Sequence, residues 1–163
     1  MRVSAKADYA IRATVELGAH HVRGGPVQPV KGEVISIAQQ IPMKYCEAIL
    51  SQLRLGGVVM SRRGADGGYW LARDPAEIRL GDLIRIVEGP LAAVRGERPT
   101  DVTFMGASEP MRDVWVAVRA SLRRVLDVVT VADVVAGVLP REVAALLDDP
   151  DAWHTVGGVV DSS

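Results

Sequence analysis

The sequence predicts a mainly α fold carrying one small β-hairpin, and three stretches predict it. In PMKYCEAILSQLRL, residues 42–55, Cys46, Ile49, Leu50 and Leu53 recur at helical spacing and form one apolar stripe, with Lys44, Glu47, Ser51 and Arg54 on the other faces. GGVVMSRRGADGGYWL then turns on Gly56 and Gly57 into a strand from Val58 to Ser61, a basic glycine-rich loop, and a second strand from Tyr69 to Leu71. Further on, Met111, Trp115, Val118, Leu122, Val125 and Val129 alternate four and three apart, the seam of a long helix. Helix, strand, basic loop, strand is the layout of a winged helix-turn-helix, followed here by a long C-terminal helix whose seam favours a dimer interface over packing within one chain.

Taken in order, Ser4 caps a first helix that runs to about Leu17, with Asp8 and Arg12 paired four apart on one face. Gly18 and the glycines and prolines of residues 23–29 close it into a loop. His20 and His21 sit at its end; adjacent histidines do not share a helix face, so contact with the helix dipole is favoured over a metal site. A short helix covers about residues 32–39, and Pro42 suits the first turn of the next, where its missing N–H had no partner. Leu80 to Val87 forms a further helix, broken by Gly89 and Pro90. Residues 131–136 and 140–147 form two more. Trp70 falls on the more exposed face of its strand, and Trp153 lies in a tail, residues 148–163, that has no periodic pattern and reads as frayed.

The predicted organisation is a winged helix-turn-helix over residues 1–90, an effector or sensor-region loop over 91–110, and a dimerisation helix with C-terminal helices over 111–147. A chain of 163 residues with 48% hydrophobic and 24% charged residues is expected to be soluble, and no run approaches the roughly 18 apolar residues of a membrane span. The N-terminus carries charges at Arg2, Lys6, Asp8, Arg12 and Glu16 and lacks the apolar core of a signal peptide. The single cysteine, Cys46, forms no intramolecular disulfide and fits a reducing cytoplasm. Net charge is −1, but residues 1–90 hold 12 Lys/Arg against 9 Asp/Glu, net +3, and residues 91–163 hold 7 against 11, net −4. The half with the hairpin is the basic half, a modest electrostatic footprint for a polyanion.

Two helices joined by a short turn, the second presenting Lys44, Glu47 and Ser51 outward, can set that second helix in a major groove. Arg62 and Arg63 precede a glycine loop that permits close approach to a sugar-phosphate backbone, where a guanidinium pairs with phosphate or enters a narrow minor groove. The plainer alternative is a solvated turn with incidental arginines. No Gly-Lys-Ser/Thr follows the loop, which argues against a nucleotide-phosphate cradle. No nucleophile with a base, paired carboxylates or metal constellation points to an enzyme.

These residues also carry a resemblance. MRVSAKADYAIRA, KYCEAILSQLRLGGVV, SRRGADGGYWLARDPAEIRLGDLIRIVEGPL and LRRVLDVVTVADVV, together spanning about residues 1–137, resemble the Rrf-two family of bacterial transcriptional regulators. The resemblance implies a homodimer that binds a palindromic operator in double-stranded DNA, usually as a repressor. It places Pro42, Lys44, Glu47 and Ala48 of the recognition helix toward base edges and Arg63 of the wing in the minor groove. The reading from the residues agrees for Lys44, Glu47 and Arg63: Glu47 suits the amino group of cytosine, and Lys44 suits guanine or phosphate.

Departures from the family pattern bear on sensing and on DNA contact. Cluster-binding members carry three cysteines where residues 88–111 here have none, so no iron-sulfur cluster and no other cofactor is expected. Asp8 stands where a nitric-oxide-sensing relative uses an aspartate as cluster ligand, but one carboxylate without thiolates cannot hold the metal. Cys46 is a candidate redox sensor, set against the reading of a small buried core residue. Gln40 replaces a turn glycine and Asp66 a wing glycine, which adds negative charge near the DNA. The expected effector is a small molecule, a thiol modification or a partner protein. The alternative function is a winged-helix module for protein contact without specific DNA binding.

Overall fold

The computed structural model describes residues 2–154. Helix α1 (Ala5–Gly24) is the element on which the others pack, meeting α2, α3, α4, α6 and the second wing strand. Ser4 caps it, its Oγ accepting from the Ala7 N–H at 3.1 Å, and Asp8 pairs with Arg12 at 2.9 Å. Its buried face is built from Ala7, Ala10, Ala13, Thr14 and Leu17, and the three alanines let neighbouring backbones approach. The buried Thr14 hydroxyl donates to the Ala10 carbonyl at 2.7 Å, so burial leaves it satisfied.

The expected stop at Leu17 is corrected: α1 continues to Gly24 and turns at Gly25, φ +93°. Gly18 is a packing residue and not a terminator. A Cβ there would lie 2.7 Å from Cγ1 of Val131 and 3.2 Å from Cγ2 of Val135, so its absence lets α6 seat on α1. His20 pairs with Glu16 at 3.3 Å, and His21 lies in the last turn.

Helix α2 (Gly32–Gln39) and helix α3 (Met43–Leu55) form the helix-turn-helix. Gln40 takes the left-handed conformation, φ +51°, that a glycine adopts without strain. Pro42 stands at the N-cap, just outside the helix, and its carbonyl accepts from the N–H groups of Tyr45 and Cys46 at 2.9 and 3.0 Å. Cys46, Ile49, Leu50 and Leu53 are buried, as their spacing predicted.

The wing is strand β1 (Val59–Arg62) antiparallel to strand β2 (Gly68–Leu71), in register from Val59 opposite Leu71 to Arg62 opposite Gly68. Val30 adds a bridge on the far side of β2, exchanging two 2.8 Å hydrogen bonds with Tyr69. Gly68 permits that approach, since a Cβ there would lie 2.6 Å from the Val30 carbonyl oxygen. Trp70, half-buried, shares a recess with His21, Pro26 and Val27 at the end of α1.

Helix α4 (Leu80–Glu88) ends at Gly89, φ +90°. The segment from 91 to 110 is a loop, as read, but a pinned one: Leu91, Pro99 and Val102 are buried, and Val94 bridges Glu97. Helix α5 (Met111–Leu126) is shorter than the predicted seam. Val129 lies beyond it, 3% exposed, its carbonyl accepting from the Leu80 N–H at 3.0 Å. It closes the core of its own chain and is not on the seam; the chain leaves the helix at Asp127, and its backbone then pairs with residues 78–80, Arg79 bridging Thr130. Helix α6 (Val131–Ala136) starts at a capping box of Thr130 and Asp133, and helix α7 (Arg141–Ala144) runs into 3-10 turns at Ala145–Asp148 and Pro150–Ala152. The part of the tail up to residue 154 is therefore folded into turns. Trp153 is 69% exposed and donates to the Leu147 carbonyl at 2.8 Å, tying it to its own segment; residues 155–163 of the predicted tail lie outside the described residues.

Asp127 is the junction of α4 and α5. Arg85 donates to both its oxygens at 2.6 and 2.8 Å and to Asp82 at 2.9 Å, and Arg123 donates to it at 2.8 Å. Burial pushes the Asp127 carboxyl up, but the hydrogen bonds and charges of Arg123 and Arg85 outweigh it and hold its pKa below the usual carboxylate value. A depressed folded pKa means stability present above the unfolded value of about 4 and lost as pH falls through the lower folded value. Asp127→Asn is expected to lose about 1–3 kcal/mol at neutral pH and to flatten this part of the acid limb, measured by thermal melts between pH 7 and pH 2.

Candidate nucleic-acid interface

The apolar stripe of α3 faces α1, so the opposite face turns to solvent. Pro42, Lys44, Glu47, Ala48, Ser51 and Arg54 are all exposed along it. The Gly56-Gly57 turn, with Gly57 at φ +73°, then sends the chain back as β1, which sets the wing beside the C-terminal half of α3. Between them lies an open cleft of about 560 Å³. Ser51 and Arg54 line one wall and Ser61, Arg62 and Arg63 the other, with Lys31, Tyr69 and the glycines at 32, 64, 67 and 68 completing it. Four cationic side chains and no carboxylate line this cleft. Such a surface attracts a polyanion, and the glycines carry no side chains to bar its close approach.

The structure thus brings Ser51, Arg54, Arg62 and Arg63 together, while Pro42, Lys44, Glu47 and Ala48 continue the same face of α3 beyond the cleft. The two wing arginines differ. Arg62 donates to the Asp66 carbonyl at 3.0 Å and braces the loop, whereas Arg63 makes no hydrogen bond or ion pair among the described residues. Asp66, expected to bear on DNA through its charge, enters this bond by its backbone.

Two residues of this surface were not singled out from the sequence. Tyr45 is 60% exposed beside Lys44, its ring 6.2 Å from Tyr9, which is covered in turn by Arg12 at 5.1 Å. An aromatic off the apolar stripe at the start of a recognition helix was the available signal. Lys31 reaches the cleft from the N-terminus of α2, 20 positions before Ser51, and nothing local announced it.

Cys46 lies on the opposite, core-facing side of α3 and is fully buried, its Sγ donating to the Gly32 carbonyl at 3.7 Å. Burial, and secondarily the charge of Glu47, pushes its pKa up, so the reactive thiolate is suppressed.

A helix-turn-helix whose second helix presents a polar face beside a basic β-hairpin defines a winged-helix DNA-binding protein. The chain belongs to the Rrf2 family of transcriptional regulators: it matches that family, described as iron-dependent transcriptional regulators, over residues 3–137. It is 46% identical over 149 residues to a Mycobacterium tuberculosis protein named as an HTH-type transcriptional regulator, Rv1287, covering 91% of this chain and 90% of that one. It is 34% identical over 134 residues to the HTH-type transcriptional regulator CymR of Bacillus subtilis, covering 82% and 88%. Among solved structures, that of CymR, the global cysteine regulator of B. subtilis, superposes with a TM-score of 0.68 at 32% identity, over 84% of this chain and 98% of that one. T. potens IscR superposes with a TM-score of 0.64 at 32% identity, over 96% and 94%.

The family description implies iron, and the residues present do not fit it. The one cysteine is sealed in the core beneath α3, and no group of three His, Cys, Asp or Glu side chains among the described residues is placed to hold a metal ion. Asp8 is engaged with Arg12.

Proposed function

We propose that this regulator acts as a homodimeric repressor that binds a palindromic operator, in the cytoplasm, without an iron-sulfur cluster and without catalysis. The observation that carries the reading is the carboxylate-free basic cleft beside an exposed polar face of α3. In this reading Pro42, Lys44, Glu47 and Ala48 meet base edges, Ser51, Arg54 and Arg62 meet phosphates, and Arg63 enters the minor groove. Tyr45 adds a sugar or base contact. The exposure of all these side chains supports the assignment.

Dimerisation is assigned to α5. None of its residues is buried in the single chain, and the seam residues Met111, Trp115, Val118, Leu122 and Val125 remain partly or fully exposed. A second copy on that seam sets two recognition helices for successive major grooves, roughly 34–36 Å apart. Residues 1–90 are the DNA-binding unit, 91–110 the segment where a small-molecule effector or partner protein acts, and 111–147 the dimerisation unit.

Arg63→Ala tests this, by fluorescence anisotropy on DNA from upstream of the gene against a scrambled duplex. The expected result is a roughly 10- to 100-fold loss of specific affinity, about 0.7–1.4 kcal/mol at each of two wings, the scale of one ordinary hydrogen bond apiece. Unchanged affinity, with the fold intact, would turn the reading toward a winged helix used for protein contact.

A further inference from the structure

We infer that Lys31 is the positioning residue that holds the wing in its DNA-binding geometry, acting through the loop backbone and not by touching DNA. This rests on the reading of the wing as a DNA contact. Lys31 occupies the N-cap of α2, where Ser, Thr, Asp or Asn normally supplies a side-chain acceptor, and no such bond is made there. A cation at the positive end of a helix dipole is a second disadvantage. Its ammonium instead spans to the tip of the wing and donates to two consecutive carbonyls, Gly64 at 2.9 Å and Ala65 at 2.6 Å.

The residue is thus poorly chosen for its own helix and well placed for the hairpin. The wing is held at two levels by adjacent residues: Val30 pairs with β2 at Tyr69, and Lys31 ties the turn. The tie is made at the residue directly after Arg63, so it restrains the backbone that carries that guanidinium. It also turns the partial negative charge of two carbonyl oxygens toward a cation and away from a polyanion. Because a lysine at this position is also within the basic cleft, direct phosphate contact is the competing role. The two differ in one measurable respect: loss of a phosphate contact lowers the salt dependence of binding, whereas loss of positioning leaves it.

Wild-type protein, Lys31→Met, Lys31→Ser, Lys31→Arg and Arg63→Ala are compared by anisotropy at several salt concentrations, by amide exchange at Gly67, which donates to the Gly64 carbonyl at 3.0 Å, and by thermal melts. Met is expected to speed exchange at Gly67 several-fold in the free protein and to weaken operator binding about 3- to 10-fold with the salt slope retained, and Arg, which keeps donors on a long stem, to restore both. Ser, which returns an acceptor to the N-cap, is expected to weaken binding as Met does while Tm holds or rises by about 2 °C. Unchanged exchange at Gly67, a fallen salt slope, or a loss of binding that tracks a fallen Tm would each overturn the assignment. If Arg63→Ala weakens binding and Lys31→Met does not, Lys31 alone is misassigned. If neither variant does, the DNA reading of the wing falls with it.

Discussion

Val118→Glu is expected to give a folded monomer that has lost at least 100-fold in operator affinity. Helix α5 stands at the edge of the single chain with no buried residue, tied to α4 through the Arg85–Asp127 pair. Val118 lies half-exposed in the middle of its apolar seam. In one chain a glutamate there is a good helix former at a wet position and costs little. Across a two-fold axis the same change sets carboxylates in the centre of an apolar contact, where desolvation penalises them without a partner. A dimer gains from linking two half-site interactions by roughly 10²–10⁴ over one, and a monomer forfeits that factor. Light scattering gives the mass, circular dichroism the fold, and anisotropy the affinity. A variant that stays dimeric shows that the seam is not the interface, and a monomer of full affinity shows that one half-site suffices.

Leu50→Ala is expected to be the most destabilising of the single changes considered, by about 2–5 kcal/mol. Leu50 is 0% exposed in the core between α3 and α1, directly beneath the recognition face. Truncation removes its transfer energy and leaves a cavity that a helix held at both ends by Pro42 and Gly57 cannot close. Against a total stability of about 5–15 kcal/mol this is a large fraction, and it lowers Tm by roughly 5–15 °C. Leu55→Ala is the comparison on the same helix: at 79% exposure it is expected to change stability by no more than about 0.5 kcal/mol. Chemical denaturation of the two variants decides it. Equal losses would mean that α3 is not anchored by its apolar stripe.

Much of this was legible along the chain, where the signal is local. The stripe of Cys46, Ile49, Leu50 and Leu53 faces the core, Ser4 caps α1, and Gly57 turns α3. The bounds of α4 and α6 and the two wing strands were placed to within a residue. The misread positions are those whose roles depend on distant partners. Gly18 looks like a terminator because glycine disfavours a helix by about 1 kcal/mol. Only α6, arriving more than a hundred residues later, makes the missing Cβ necessary. Val129 fits the heptad arithmetic, yet the backbone there pairs with residues 78–80 and Val129 is buried in the core.

The sequence by itself determined the elements and the polarity of their faces, since hydrophobic periodicity, caps and glycines act over a few residues. It also carried the family, through motifs in a fixed order. Only the tertiary structure decided that α1 is the hub, that Arg62 braces the wing while Arg63 projects from it, and that Lys31 reaches across to the turn. Those depend on which distant backbones meet, and nothing in the spacing of residues along a chain states where its carbonyls lie after folding.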